Sequence, residues 1–160
     1  MKNIVLIGHM SSGKTMCGKI LAARENLLFI DSDELIIQKY GADSILKVYT
    51  ELGEEEFRLV EESVISEINP ERPAIIATGA GAILSGKNRA KFTSLGEVIY
   101  LIEPRESLIE RILATRERFQ GDGARTRLNA IFDEREPLYR EIATVTLSSE
   151  LLLSRTGIVK

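Results

Sequence analysis

The sequence contains one cysteine, one histidine and no tryptophan in 160 residues. A single cysteine excludes an intramolecular disulfide, and with one histidine it leaves no ligand cluster for a structural zinc site. Cys17 lies in a helical stretch and reads as a small buried residue rather than a reactive thiol. There is no apolar run of the roughly eighteen residues needed to cross a bilayer. Net charge is small too: it is -3 and the pI about 5.4, so no overall positive field attracts nucleic acid or an anionic membrane. The first residues enter an apolar strand-like run without the basic segment and long apolar core of an export signal, and the cytoplasm is the expected compartment. What is present, 44% hydrophobic and 28% charged residues, is the composition of a water-soluble globular protein. The length suits one domain that buries well over half of its unfolded surface.

The most informative stretch is Gly8-His9-Met10-Ser11-Ser12-Gly13-Lys14-Thr15, which satisfies the phosphate-loop pattern G-x-x-x-x-G-K-[ST]. Its flanks are the required ones: an apolar run from Lys2 to Ile7 before it, and helical periodicity through Cys17, Ile20, Leu21 and Arg24 after it. The glycines let successive backbone N–H groups and a helix N-terminus face phosphates, Lys14 adds positive charge, and the Thr15 hydroxyl suits Mg²⁺. Gly8, Met10, Ser11, Ser12, Gly13, Lys14, Thr15 and Met16 are the predicted nucleotide-binding residues.

Further along, Leu27 to Ile30 reads as a second strand that ends in Asp31-Ser32-Asp33. In open α/β sheets the ligand crevice lies beyond the carboxyl ends of the strands, so these acids are in a working position. The structural alternative is that Ser32 or Asp33 caps the helix Glu34 to Tyr40. Ser44 to Asn69 is helical with a break at Gly53, and there Arg58 is expected to pair with Glu54 and Glu62 along a solvated face. Pro73 to Thr78 is a third strand, followed by the small residues Gly79-Ala80-Gly81-Ala82, which permit close approach of a ligand or another backbone. Asn88 to Leu95 reads as a helix, Glu97 to Ile102 as a strand and Pro104 to Thr115 as a helix. The stretch from Arg116 to Arg127 has four arginines and no clear period, and reads as a mobile loop. Leu128 to Glu136 is helical, Pro137 starts a new turn, and Ala143 to Leu147 is a last strand. The tail from Ser148 to Lys160 has room for at most one short helix.

Several of these stretches together resemble the shikimate kinases, which are small P-loop kinases. The likeness is carried by I-x-L-x-G-x-M-x-S-G-K-T at Ile4 to Thr15, by Asp31 and Asp33, and by Ile45, Tyr49, Gly53, Glu54, Phe57, Arg58 and Glu61. Gly79-Ala80-Gly81 and the run E-R-x-P-L-Y-x-E-I-A at Glu134 to Ala143 complete it. The resemblance implies a three-layer α/β fold with a five-stranded parallel sheet and helices on both faces. It also implies one domain, with a helical substrate-binding insertion at about 33–60 and a lid at about 112–126. The implied reaction is transfer of the ATP γ-phosphate to the 3-hydroxyl of shikimate, with Mg²⁺, by a monomer. Arg58 and Arg135 match the family's carboxylate-binding arginines. Asp33 matches the residue that holds the reacting hydroxyl, and Asp31 the acid near Mg²⁺, alongside Thr15. Gly79, Ala80 and Gly81 match the substrate-facing backbone, Arg111 the adenine-stacking arginine, and Arg118 the catalytic lid arginine.

The chain also departs from the family pattern. Arg118-Phe119-Gln120-Gly121 replaces the usual R-P-L-L, which makes Arg125 a second candidate for the lid arginine. Ala80 replaces a glycine, Met16 a hydroxyl residue, and the C-terminal stretch is short. Two other readings compete. A kinase of another hydroxy acid or sugar, such as a gluconate-type kinase, would not need Arg58 together with Arg135. A domain that senses nucleotide without transferring phosphate would not need Lys14, Asp31 and Asp33 intact.

Overall fold

The apolar run after Lys2 becomes the middle of a sheet because both of its faces are covered. In the computed structural model, which describes residues 2–155, the strands are β1 (Asn3–Ile7), β2 (Leu28–Asp31), β3 (Ala74–Ala77), β4 (Gly96–Leu101) and β5 (Val145–Leu147). All pair in parallel, in the order β2-β3-β1-β4-β5. The helices are α1 (Lys14–Glu25), α2 (Ser32–Tyr40), α3 (Ile45–Glu67), α4 (Gly86–Leu95), α5 (Arg105–Thr115), α6 (Ala124–Ile142) and α7 (Ser149–Ser154).

The two-residue alternation of a strand distributes β1 between two cores. Val5 and Ile7, with Ile76, Val98 and Tyr100, pack against Ile65 of α3, Phe92 of α4 and Tyr139 of α6. Ile4 and Leu6, with Ile75 and Ile99, pack against Cys17 and Leu21 of α1 and Leu152 of α7. Three layers result, and strands buried on both faces read as continuous apolar runs. Two smaller cores flank the carboxyl end of the sheet. In one, α2 lies on α3 through Ile36, Val48, Phe57 and Val64. In the other, α5 and α6 enclose Phe119 and reach Met10 of the phosphate loop.

Several boundaries differ from those expected. The break expected at Gly53 is not among them: within α3 this residue stands at φ 76°, ψ 169°, outside helical geometry, and kinks the helix there. α6 runs through Pro137 instead of restarting there. Proline removes one helical hydrogen bond, yet the turn beyond it is anchored by buried Tyr139, whose hydroxyl donates to the Ala80 carbonyl at 2.6 Å. Packing overrides propensity at this point. The arginine-rich stretch is not a plain loop either: Glu117–Phe119 forms a 3₁₀ turn with Phe119 buried, and α6 begins at Ala124. In the tail, α7 is the short helix anticipated, and residues 156–160 lie outside the described residues.

Phe92 is fully buried where α4 meets the sheet. Phe92→Ala is expected to cost about 3–5 kcal/mol of unfolding free energy through lost burial and the cavity left behind. Urea denaturation measures it, and a loss below about 1 kcal/mol would mean that α4 is not part of the cooperative core.

Candidate active site

The phosphate loop connects β1 to α1. α2, α3, α4 and α7 each have a side-chain cap, from Asp31, Ser44, Ser85 and Ser148 respectively. α1, like α5 and α6, has none; what sets it apart is that its N-cap, Gly13 at φ 89°, closes the phosphate loop, and no side chain accepts from its first turn. Free N–H groups at a helix N-terminus form an anion site. Ser11 is also in the left-handed region, at φ 62°, where a non-glycine residue is uncommon and associated with functional turns. Lys14 is folded back into the loop it serves. Its Nζ donates to the carbonyls of Gly8 at 2.7 Å and His9 at 2.8 Å, with the Ser12 hydroxyl at 3.4 Å. Burial lowers its pKa to about 8, while Asp33 and Asp31 act to raise it.

The two aspartates after β2 divide into separate tasks. Asp31, not Ser32 or Asp33, caps α2: its Oδ1 accepts the Asp33 N–H at 3.0 Å. Its Oδ2 accepts from the Thr15 hydroxyl at 2.7 Å, so a hydroxyl and a carboxylate lie together beside the phosphate loop. An all-oxygen pair of this kind fits Mg²⁺, a hard cation that retains water. Buried Ser32 accepts the N–H of Gly79 through its hydroxyl at 2.9 Å, tying β2 to the glycine loop. Asp33 is left with its carboxyl free to face the cavity. Burial, and then the Asp31 charge, push its pKa up to about 6 against the pull of Lys14, Arg116 and Arg58.

These groups line a cavity of about 660 Å³. Of the predicted residues, Met10, Ser11, Gly13, Lys14, Thr15, Met16, Asp31, Asp33, Arg58, Gly79, Ala80, Gly81, Arg118 and Arg135 line it. Gly8 and Ser12 form the loop behind Lys14, and exposed Arg111 donates to the Ser11 carbonyl at 3.0 Å, outside this lining. Arg58 does not pair with Glu62, which is engaged by Lys87 and Ser85. Instead its Nη1 donates to buried Glu61 at 2.6 Å, with Glu54 at 4.0 Å. Burial pushes Glu61 up to about 7 although Arg58 acts to lower it. Arg135 is buried and forms an ion pair with none of the described carboxylates. The Nε atoms of Arg58 and Arg135 are the two buried side-chain polar atoms without a hydrogen-bond partner among the described residues.

The glycine loop is small because the charged groups press on it. A Cβ on Gly79 would come within 2.5 Å of Asp33 Oδ1, and one on Gly81 would collide with the Arg58 guanidinium. Ala80 is absent from the positive-φ positions, so its side chain causes no backbone strain, and its carbonyl accepts from Tyr139. In the lid, the Arg118 guanidinium lies over Tyr49 at 5.4 Å and over Phe119 at 4.7 Å. Arg125 points away, held by Glu106 and Glu110 on the outer surface. Glu61, Arg116 and Tyr49 also line the cavity, although none was singled out as a site residue. The i,i+3 spacing from Arg58 marks Glu61 as lying on the same helix face. Arg116 had only its place in the arginine-rich stretch to mark it.

Known proteins resemble this chain in sequence and fold. The family model described as shikimate kinase matches residues 10–156. A shikimate kinase of Vibrio cholerae is 38% identical over 155 residues, covering 93% of this chain and 86% of its own. One from Francisella tularensis subsp. holarctica is 44% identical over 151 residues, covering 92% and 85%. The solved structure of a shikimate kinase from Acinetobacter baumannii in complex with shikimate superposes with a TM-score of 0.84 at 34% identity, covering 98% of this chain and 86% of that one. No helix among the described residues is long and apolar enough to cross a membrane.

Asp33 carries a prediction of its own. Its pKa is raised on folding, from 3.8 to about 6, so the folded protein holds a proton that the unfolded chain has released. The stability this gives is complete below about pH 4 and is lost as pH rises through about 6. Asp33→Asn should remove that part of the decline. The urea midpoint of the parent is therefore expected to fall relative to that of Asp33→Asn as pH rises from 4 to 7, and curves that stay parallel would contradict a partly buried, proton-holding Asp33.

Proposed function

Given that this chain belongs to the shikimate kinase family and catalyses ATP-dependent, Mg²⁺-requiring phosphorylation of the 3-hydroxyl of shikimate, we propose how its residues divide that work. The observation that carries the proposal is a pair of guanidiniums on the cavity wall, buried Arg135 and partly buried Arg58, whose buried Nε–H groups have no partner among the described residues. A buried donor left unpaired is costly, and more so on a charged group. A carboxylate supplies the missing acceptors, and planar guanidinium forks suit its geometry. The substrate carboxylate is thus held between α3 and α6. Gly79, Ala80 and Gly81 form the wall beside it, and the insertion at about 33–60 encloses the acceptor.

With the carboxylate anchored there, the ring hydroxyl is directed at Asp33. Asp33, with a pKa of about 6, is mostly ionised at neutral pH and yet basic enough to accept a proton in the transition state. As the hydroxyl oxygen bonds to the γ-phosphorus, the bond from that phosphorus to the β,γ-bridging oxygen breaks. The electron pair leaves with ADP and the hydroxyl proton passes to Asp33. The uncapped first turn of α1, with Gly8 and Met10 to Met16 around it, holds the phosphates, and Lys14 exchanges its loop carbonyls for phosphate oxygens. Thr15 and Asp31 would hold Mg²⁺, Asp31 through bound water, and the ion draws negative charge off the phosphate oxygens when bound. Arg111 flanks the nucleotide beside Ser11. The lid at about 112–126 closes through Arg118 on Tyr49, and Arg118, rather than surface-paired Arg125, meets the charge developing on the transferred group.

Replacing Arg58 or Arg135 by Lys keeps the charge and removes the fork. Each change is expected to weaken shikimate binding by about 1.5–3 kcal/mol, the scale of hydrogen bonds to charged groups. MgATP affinity should hardly change. Calorimetric titration of shikimate into the parent and both variants with MgADP present measures this. Unchanged shikimate affinity in both variants would mean that the carboxylate lies elsewhere.

A further inference from the structure

His9 belongs to the phosphate loop but does not face the cavity that Lys14 and Asp33 line. Its side chain turns the other way and is buried against α6, with its ring stacked on Phe132 at 3.9 Å and edge-on to Tyr139 at 4.8 Å. Its Nε2 is 3.0 Å from Glu136 Oε2. The same carboxylate accepts from the Tyr100 hydroxyl at 2.5 Å and from Arg140 Nε at 2.8 Å. Burial acts to raise the Glu136 pKa, but the hydrogen bonds from Tyr100, His9 and Arg140 hold it below the usual carboxylate range, so Glu136 is ionised and only accepts. Burial lowers the His9 pKa to about 4 and keeps the ring neutral. The proton on the neutral ring is therefore assigned to Nε2, which donates to Glu136.

Two further contacts give this bond its reach. The His9 carbonyl is one of the acceptors of Lys14. On the other side, Glu136 directly follows Arg135, and Tyr139, one turn on, donates to Ala80 of the glycine loop. α6 therefore touches the phosphate loop through Glu136 and the substrate loop through Tyr139, with Arg135 beside both. Stacking on Phe132 needs only an aromatic ring. The bond to Glu136 needs a donor as well, and His9 supplies both.

We propose that His9 is a positioning residue: its bond to Glu136 locks the phosphate loop to α6 and so fixes the phosphoryl group relative to the acceptor that Arg135 holds. The inference rests on the kinase reading above. It concerns the relative placement of two bound substrates and not the binding of either, because His9 lies outside the lining of the cavity. In phosphoryl transfer that placement is most of the catalysis, and an error of about 1 Å costs on the order of a hundredfold.

The test compares His9→Phe, which keeps a stacking ring and removes the donor, with His9→Gln, which keeps a donor. kcat is measured at saturation in both substrates, and Kd for MgATP and for shikimate by separate titrations. His9→Phe is expected to lower kcat by about tenfold or more while each Kd stays within about threefold, and His9→Gln to retain most of the parent rate. Glu136→Ala, which removes the acceptor of the His9 bond without altering the loop, is expected to lower kcat in the same selective way and decides the matter alone if His9→Phe does not fold. A kcat loss below about threefold, a loss matched by equal weakening of either Kd, or a His9→Gln as impaired as His9→Phe would overturn the proposal. A parent without shikimate-dependent ADP release would instead remove the kinase reading, and this inference with it.

Discussion

Two guanidiniums beside a cavity, Arg135 buried and Arg58 partly so, each with a buried Nε–H that has no acceptor among the described residues, are the constraint on which the rest of the site depends. Arg58 has a partner in Glu61, but its Nε–H has none, and buried Arg135 has no carboxylate partner among the described residues. Protein interiors admit such charge only when it is paired or when a ligand completes the pairing. The neighbouring sequence follows from that requirement. A side chain at Gly79 or Gly81 would push Asp33, Glu61 or the Arg58 guanidinium out of the places they hold. Burial raises both Asp33 and Glu61, so acids beside these cations titrate near neutrality rather than near pH 4.

The sheet brings these groups together from distant parts of the chain. Parallel strands point their carboxyl ends the same way, so Gly8 after β1, Asp31 at the end of β2 and Gly79 beyond β3 emerge side by side. Asp31 links two of them, with one oxygen on the α2 backbone and the other on Thr15. Ser32 links the third through Gly79. α3 then carries Arg58 to the cavity and α6 carries Arg135, while Arg118 in the lid rests on Tyr49 of α3.

Much of this was legible in the sequence, for physical reasons. The phosphate loop has a local signature with the right flanks, and doubly buried strands write themselves as apolar runs, so β1, β3 and β4 were found to within a residue or two. What was not legible depended on contacts between segments far apart. The aspartate that caps α2 could not be chosen from spacing alone, because the choice rests on Thr15, sixteen residues earlier. Glu61, though part of the family likeness, had no site role because a carboxylate on a charged helix reads as solvated until the glycine loop covers it. Pro137 read as a boundary because the anchoring of Tyr139 to Ala80 spans fifty-nine residues. His9 carried no local signal at all, since its partner is on α6. The bonds of Lys14 to the Gly8 and His9 carbonyls likewise have no mark in the pattern, which specifies only the lysine.

The central claim is that the acceptor is recognised through its carboxylate and phosphorylated at its 3-hydroxyl. The most direct test is ADP release by the unaltered protein with shikimate and with its neutral methyl ester, the phosphorylated position being read by phosphorus NMR. The account predicts turnover of shikimate at the 3-oxygen and a kcat/KM for the ester lower by about tenfold to a hundredfold or more, the scale of losing charged hydrogen bonds. Equal turnover of acid and ester would contradict it.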